Sequence, residues 1–185
     1  MKIAGIVGSP REQGSTAFLV NKVLEGARSG GAGTVLHQLG SMDFGGCRAC
    51  MACRGDGCCA QKDDMQAVHD DLREAGGAVL GTPVYMFSMT GQTKLFIDRL
   101  FSLMKPDFTS RLGGGMPLVL VVTQGAPDPD AFKPALDGMS KALDMLGLHE
   151  VERIVGTGLG SAKDAMRRND LVERAFEAGR KLAGG

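Results

Sequence analysis

The sequence predicts an α/β fold: a doubly wound, three-layer arrangement in which a five-stranded parallel sheet of order 2-1-3-4-5 carries helices on both faces. Short apolar runs alternate five times with segments in which apolar residues recur at helical spacing. Right-handed crossovers leave few topologies for such units. The 185-residue chain has the length of one domain, without a linker or an internal repeat. We therefore predict a single domain over residues 1–185 with a cysteine-rich insertion at about 41–62.

The predicted strands are compact apolar runs. The first begins at Ile3, and the fourth, PLVLVVT, is the most apolar of them. In chain order the strands cover residues 3–7, 34–39, 78–81, 117–123 and 150–155.

The predicted helices are amphipathic segments between these strands. Ser15 is the expected N-cap of the first, and Pro134 falls in the first turn of the fourth, where proline is tolerated. In chain order the helices cover residues 16–27, 64–74, 92–103, 134–146 and 162–182.

The charge balance excludes several classes of partner. Lys and Arg together number 21, as do Asp and Glu, so we expect neither nucleic-acid nor membrane binding. No apolar run approaches the roughly 18–20 residues of a membrane span, and the N-terminal apolar stretch is too short for a signal peptide. We expect a cytoplasmic protein, in which thiols stay reduced and clustered cysteines indicate metal or redox chemistry.

The loop after the first strand, GSPREQGST at residues 8–16, has the composition of a phosphate cradle. A helix N-terminus offers unpaired N–H groups, Ser9, Ser15 and Thr16 add hydroxyls, and Arg11 adds a guanidinium. The loop lacks the lysine of a Walker A motif and the spacing of a dinucleotide fingerprint. One arginine and one helix end suit a single phosphate, as in FMN. The alternative is a turn that only caps the helix.

The loop after the third strand offers a surface for a flat ring. Tyr85, Met86 and Phe87 follow the strand in a chain with one Tyr and no Trp. Apolar side chains beside backbone N–H and C=O groups suit the binding of a flat heterocycle with polar edges. The alternative is that Phe87 and Met89 belong to the core or to a subunit seam. After the fourth strand, Gly125 would allow close backbone approach to the other edge of the ring.

All five cysteines lie between residues 46 and 59. Cys47, Cys50 and Cys53 form C-x2-C-x2-C, the spacing of bacterial ferredoxins, and Cys58 and Cys59 follow. A [4Fe–4S] cluster needs four such ligands, whereas zinc prefers two separated pairs. A cluster is the favoured interpretation, and zinc, reduced thiols or a labile disulfide stay open.

Residues 41–62 show no periodicity and few large apolar side chains. Ordering about twenty residues costs on the order of 20–40 kcal/mol of backbone entropy. Burying Met42, Phe44 and Met51 returns roughly 5–9 kcal/mol. We therefore expect that the segment needs a cross-link, such as metal–thiolate bonds, to become ordered.

Two motifs carry a resemblance to a known family. GSPR…GST after the first strand and TPVY-x-FSMTGQ-x-K-x-FIDR after the third resemble the NAD(P)H-dependent FMN reductase superfamily, which is flavodoxin-like. With the cysteines included, the chain is most similar to the iron-sulfur flavoproteins in it. The resemblance implies that the FMN phosphate is bound by Ser9, Arg11, Ser15 and Thr16. It implies that the isoalloxazine is lined by Pro83, Val84, Tyr85, Met86 and Phe87.

The resemblance also bears on the ligands and the assembly. In that family the last cluster ligand precedes a segment like the DDM at 63–65, which implies Cys59 as the fourth ligand and leaves Cys58 spare. Members of the family are usually homodimers or homotetramers with flavin sites close to subunit contacts.

The expected function is an FMN-dependent oxidoreductase that passes electrons between a reduced donor, NAD(P)H or a ferredoxin-like partner, and an acceptor. One alternative is an NAD(P)H:FMN or quinone reductase without a cluster. Another is a non-enzymatic electron carrier, which the neutral net charge disfavours because flavodoxin carriers are usually acidic.

No side chain is predicted to act as a catalytic acid or base. The three histidines, His37, His69 and His149, fall outside the predicted site loops. Lys94 and Arg99 lie on the helix after the second loop, where we expect structural or interfacial roles, with Asp98 and Arg99 as a cap or pair.

Overall fold

The computed structural model describes residues 1–113 and 115–184 and contains a five-stranded sheet. The strand order is β2-β1-β3-β4-β5, and every neighbouring pair is parallel, so the predicted fold is confirmed. The strands are β1 Lys2–Val7, β2 Gly33–Gln38, β3 Gly77–Pro83, β4 Met116–Thr123 and β5 Leu148–Gly156.

Six α-helices connect and cover the described strands. They are α1 Ser15–Ser29, α2 Met65–Glu74, α3 Gly91–Arg99, α4 Lys133–Met145, α5 Ala162–Met166 and α6 Asn169–Gly184. A 3-10 turn at Leu100–Leu103 ends the helix that was predicted to continue to 103, and another at Ala52–Arg54 lies in the cysteine segment.

The predicted last helix is wrong in one respect, because it is two helices. α5 begins at a capping box formed by Ser161 and Asp164, and it ends at Met166. Arg168 then binds the carboxylate of Asp170 through Nε at 2.9 Å and Nη2 at 2.7 Å. This ion pair joins the residue before α6 to the second residue of α6, while apolar residues continue at helical spacing from α5 into α6.

Two hydrophobic cores flank the sheet. One lies under α1, α5 and α6, and the other under α2, α3 and α4. α1 and α6 approach each other through glycines: a Cβ at Gly26 would lie 1.9 Å from the Phe176 carbonyl oxygen, and one at Gly179 would lie 1.8 Å from that of Val23. The helix pair therefore packs backbone against backbone.

Within the described residues, no helix has the length and apolar character needed to span a membrane. The central strands β1, β3 and β4 are almost entirely buried, and their carboxyl ends open at one edge of the sheet. Loops from four strands meet at that edge.

Candidate functional site

A cleft opens at the carboxyl ends of the strands, and we call it the strand-end cleft. It brings together eight of the ten residues predicted for a flavin: Ser9, Arg11, Ser15, Thr16, Pro83, Val84, Tyr85 and Gly125. Four more residues line the cleft: Thr123 and Gln124, which directly precede Gly125, and Leu159 and Gly160, which were not predicted. The last two come from the glycine-rich loop after β5, GTGLGS, whose composition is the signal that could have identified it.

The first turn of α1 faces this cleft without a side-chain cap. Gly14, not the predicted Ser15, occupies the N-cap position, with extended backbone and no capping hydrogen bond. The turn contains no acidic residue, and Ser15 and Thr16 are both buried. The first N–H groups of a helix have no partner within it, so this turn presents donors and partial positive charge to an anion.

Several polar side chains of the first loop form hydrogen bonds within the protein. Ser9 Oγ accepts a hydrogen bond from the Arg11 backbone N–H at 3.1 Å. Thr16 Oγ1 lies 2.7 Å from Thr123 Oγ1 in a buried contact with β4. Arg11 is exposed, and its Nη1 donates to the Gly160 carbonyl at 3.2 Å. Thr16 thus offers the cleft its backbone N–H, while Arg11 joins the loops after β1 and β5.

A buried threonine network ties the first two loops together. Thr90 Oγ1 donates to the Gly8 carbonyl at 2.5 Å and accepts from the Thr93 N–H at 3.2 Å, which makes Thr90 the N-cap of α3. Thr93 Oγ1 donates to Thr82 Oγ1 at 3.1 Å. A Cβ at Gly8 would lie 1.8 Å from Thr93 Oγ1, so only glycine fits against this network.

The aromatic segment forms a strained turn at the rim of the cleft. Tyr85 and Ser88 exchange two backbone hydrogen bonds, at 2.8 and 3.0 Å. Met86 and Phe87 between them adopt φ of 44° and 67°, the type I′ geometry that favours Asn and Gly. Met86 is 93% exposed and Phe87 77% exposed, and neither lines the cleft. Their predicted contact with a ring stays a prediction, and the strain indicates a functional site.

Gln124 provides the test of whether the cleft fits a ligand. Its side chain is 2% exposed, and Nε2 donates to the carbonyls of Ala126 at 3.3 Å and Asp128 at 2.6 Å. Oε1 is buried and has no hydrogen-bond partner in the described residues. A buried acceptor without a donor costs about 1–3 kcal/mol, so the cleft suits a molecule that carries donors as well as a phosphate. FMN carries both.

A second cleft, the thiol cleft, is lined by Cys47, Cys50, Cys53 and Cys59. These are the four predicted metal ligands, and Cys58 is exposed outside them. Burial raises the pKa of the Cys53 thiol, and the negative charges of Cys59, Cys47 and Cys50 raise it further.

The four thiols share this cleft without converging on one point. Among residues 1–113 and 115–184, no group of three or more His, Cys, Asp or Glu side chains is arranged to hold a metal ion. The backbone between the thiols is strained, with Ala49 and Met51 at φ of 52° and 58°. The Ala49 N–H lies 3.5 Å from Cys47 Sγ. The four thiols line one cleft in an open arrangement, and their role as metal ligands stays a prediction.

Arginine side chains anchor the cysteine segment, residues 46–59, to the rest of the protein, and the expectation that a metal cross-link orders it stays a prediction. Arg111 Nη2 donates to the carbonyls of residues 54 and 55 at 3.1 and 2.9 Å. Arg73 Nη2 donates to the Gly57 carbonyl at 2.8 Å. The Arg54 guanidinium lies 5.5 Å from the Phe101 ring and 5.1 Å from the Phe108 ring. None of these partners is near in sequence, so no local pattern could have shown them.

Arg99 has a different partner from the predicted one. Its guanidinium binds Asp63 through two bonds, at 2.6 and 2.8 Å, while Asp98 pairs with Lys94 at 2.7 Å. The Asp63 carboxylate raises the pKa of Arg99, and Arg99 in turn lowers the pKa of Asp63. This buried pair lies directly beside the thiol cleft.

The three histidines line neither cleft. His37 pairs with Asp71 at 2.7 Å, and His149 pairs with Asp144. His69 is buried, and its Nε2 donates to the Arg99 carbonyl at 3.1 Å.

The chain is similar in sequence to known proteins. A family model described as NADPH-dependent FMN reductase matches residues 1–152. The chain is 28% identical over 185 residues to an iron-sulfur flavoprotein of Methanocaldococcus jannaschii, with 99% of this chain and 96% of the relative covered. It is 30% identical over 186 residues to an iron-sulfur flavoprotein of Archaeoglobus fulgidus, with 99% of this chain and 79% of the relative covered.

A solved structure confirms the fold. An NAD(P)H:quinone oxidoreductase from Methanothermobacter marburgensis superposes with a TM-score of 0.76 at 15% identity, over 98% of this chain and 96% of that chain. At this identity the likeness concerns the fold alone.

Proposed function

The chain belongs to the NADPH-dependent FMN reductase family, and from this premise we propose that it binds FMN in the strand-end cleft and a [4Fe–4S] cluster in the thiol cleft. It transfers electrons between a reduced donor, NAD(P)H or a ferredoxin-like protein, and an acceptor. When bound, flavin exchanges electrons singly or in pairs and a cluster exchanges them singly, so together they connect two-electron and one-electron partners.

One observation carries the FMN proposal: the uncapped first turn of α1 lines the strand-end cleft together with Gln124, whose side-chain oxygen is buried and unpaired. The N–H groups of Ser15 and Thr16, with Ser9 and Arg11, bind the phosphate. The remaining predicted residues, Pro83, Val84, Tyr85, Met86, Phe87 and Gly125, border the ring. The Gln124 oxygen accepts a hydrogen bond from a ribityl hydroxyl or a ring N–H.

The cluster proposal rests on the ligand set of the thiol cleft. Cys47, Cys50, Cys53 and Cys59 share the cleft, Cys58 lies outside it, and the relatives are named iron-sulfur flavoproteins. A zinc ion holds its thiolates at about 2.3 Å around one point. Thiols that share a cleft without converging suit a wider cluster better.

Helix α3 connects the two clefts. It begins at Thr90, beside the strand-end cleft, and ends at Arg99, beside the thiol cleft. Its nine residues span about 13 Å. The two proposed binding sites therefore lie near opposite ends of one helix. We assign no side chain of the chain to proton transfer.

The assembly and location follow from the same residues. Met86 and Phe87 expose large apolar side chains at the rim of the strand-end cleft, so a second copy of the chain covers them in a homodimer or homotetramer. Cluster ligands must stay reduced, and all five cysteines are free, so the protein works in the cytoplasm.

The matched pair Cys50→Ser and Cys58→Ser tests the proposed function. Anaerobically purified wild-type protein and Cys58→Ser should contain iron and show the broad visible absorbance of an iron–sulfur centre. Cys50→Ser should lose both and keep FMN. Equal iron content in the two variants would contradict the cluster. NADPH oxidation by the flavin-loaded protein distinguishes a reductase from a carrier that accepts electrons only from reduced ferredoxin.

A further inference from the structure

A buried guanidinium lies against the thiol cleft. Arg99 is 1% exposed, and it lines the cleft together with the four cysteines. Nη1 and Nη2 bind Asp63 as a fork, at 2.6 and 2.8 Å, and Nη1 also donates to the Gly45 carbonyl at 2.8 Å. Gly45 precedes the first cysteine and Asp63 follows the last. Arg99 therefore holds both ends of the segment that carries the ligands.

One donor of this guanidinium has no partner among the described residues. Arg99 Nε is buried and unpaired. An arginine side chain is always protonated in proteins, so Arg99 carries a positive charge that Asp63 balances. Its Nε–H is a donor that no described residue accepts and that can serve the sulfur atoms of the cleft.

We propose that Arg99 is a positioning residue that sets the reduction potential of the centre held by Cys47, Cys50, Cys53 and Cys59, with Asp63 as its counter-charge. This inference rests on the proposed cluster. Reduction adds one electron and one negative charge to the centre without a proton. Hydrogen bonds to the sulfurs and nearby positive charge stabilise the reduced form, which raises the potential.

The pair predicts shifts of opposite sign. Arg99→Lys keeps the charge that balances Asp63 and removes the Nε–H, so the potential should fall. Asp63→Asn keeps the Arg99 donor and leaves its positive charge unbalanced, so the potential should rise. A role limited to loop structure would move both variants in the same direction, because each substitution weakens the same ion pair.

The test is a potentiometric titration of anaerobically reconstituted protein, followed by visible and EPR spectra, with iron and sulfide measured in each sample. Arg111→Lys is the matched control, because Arg111 also anchors the cysteine segment and also has a buried unpaired Nε, but it does not line the thiol cleft. We expect at least a tenfold change in the reduced-to-oxidised ratio for each variant of the pair, which is about 59 mV for one electron, and none for the control.

The outcomes separate the two levels of the proposal. Wild-type protein without iron and sulfide would contradict the cluster, and this inference with it. Iron-loaded variants with the wild-type potential, or shifts of the same sign in both, would contradict the role of Arg99 alone. If Arg99→Lys fails to retain iron, Asp63→Asn decides: a raised potential supports the role, and an unchanged or lowered one overturns it.

Discussion

His69 is buried between α2 and the 3-10 turn that follows α3, and it is 2% exposed. Burial lowers its pKa from 6.5 to about 4, with Arg73 and Arg99 adding repulsion against the protonated form. The neutral ring donates from Nε2 to the Arg99 carbonyl. His69 therefore supports the end of α3 and the buried pair beside the thiol cleft.

This histidine should make stability depend on pH. Its folded pKa lies below its unfolded value, so the unfolded chain binds more protons between them. The stabilisation is complete above about pH 6.5, decreases as the pH falls, and is lost near pH 4, for a total of about 3 kcal/mol. Denaturant unfolding at pH 7, 6 and 5 checks this. His69→Gln should flatten the dependence, and parallel curves for the two proteins would contradict it.

Gln124 should contribute directly to flavin affinity. Replacing it by Leu removes the unpaired acceptor and both donor bonds of the side chain. We expect FMN to bind about five- to tenfold more weakly, because a neutral hydrogen bond contributes about 1–1.4 kcal/mol to the binding free energy. Quenching of FMN fluorescence measures it. Gln66→Leu on α2, outside both clefts, is the control, and equal affinities in the two variants would remove Gln124 from the site.

Single residues show where sequence patterns suffice. Ser9, Ser15 and Thr16 were predictable because a polar loop before a helix has a local cause, the unpaired N–H groups of the first turn. The Asp63–Arg99 pair joins residues 36 positions apart, and nothing in either neighbourhood shows that they meet. Long-range polar contacts of this kind depend on the fold.

Among the elements, α1 and α6 form the closest packing in the outer layers. Their glycines allow backbone contact, and the neighbours of a new Cβ would be backbone atoms that cannot rotate away. Two helices so close depend on the absence of side chains at Gly26 and Gly179.

Gly179→Ala should therefore lower the free energy of unfolding by about 3 kcal/mol or more, the upper range for an overpacked core. Gly138→Ala is the control, since Gly138 is exposed in the interior of α4 and a Cβ there meets nothing within 4 Å. It should stabilise the protein by up to about 1 kcal/mol through helix propensity. Equally small changes in the free energy of unfolding for the two variants would contradict a close backbone contact between α1 and α6.

The bounds of a helix or strand were predictable to within a few residues wherever its apolar residues recur at a single spacing. The five strands and the first four helices follow from such periods. The break between α5 and α6 was not predictable in this way, because the apolar stripe continues across it. The Arg168–Asp170 pair lies at the start of α6, whereas the Ser161 capping box lies at the other end of α5.

At the scale of the whole molecule, the sheet places one cleft at its strand ends, and α3 connects it to the cysteine segment. The strand order was predictable because right-handed crossovers and helices on both faces leave few arrangements. The contribution of the β5–α5 loop to the strand-end cleft was not predicted. The switch point of the sheet indicates the loops after β1, β3 and β4, whereas this glycine-rich loop follows the edge strand.

We propose that one chain holds a flavin and an iron–sulfur centre in two separate clefts. The most direct test is the FMN, iron and sulfide content of anaerobically purified protein. We predict about one FMN, four iron atoms and four sulfides per chain. Colourless protein that contains no iron and takes up no added FMN would contradict the account.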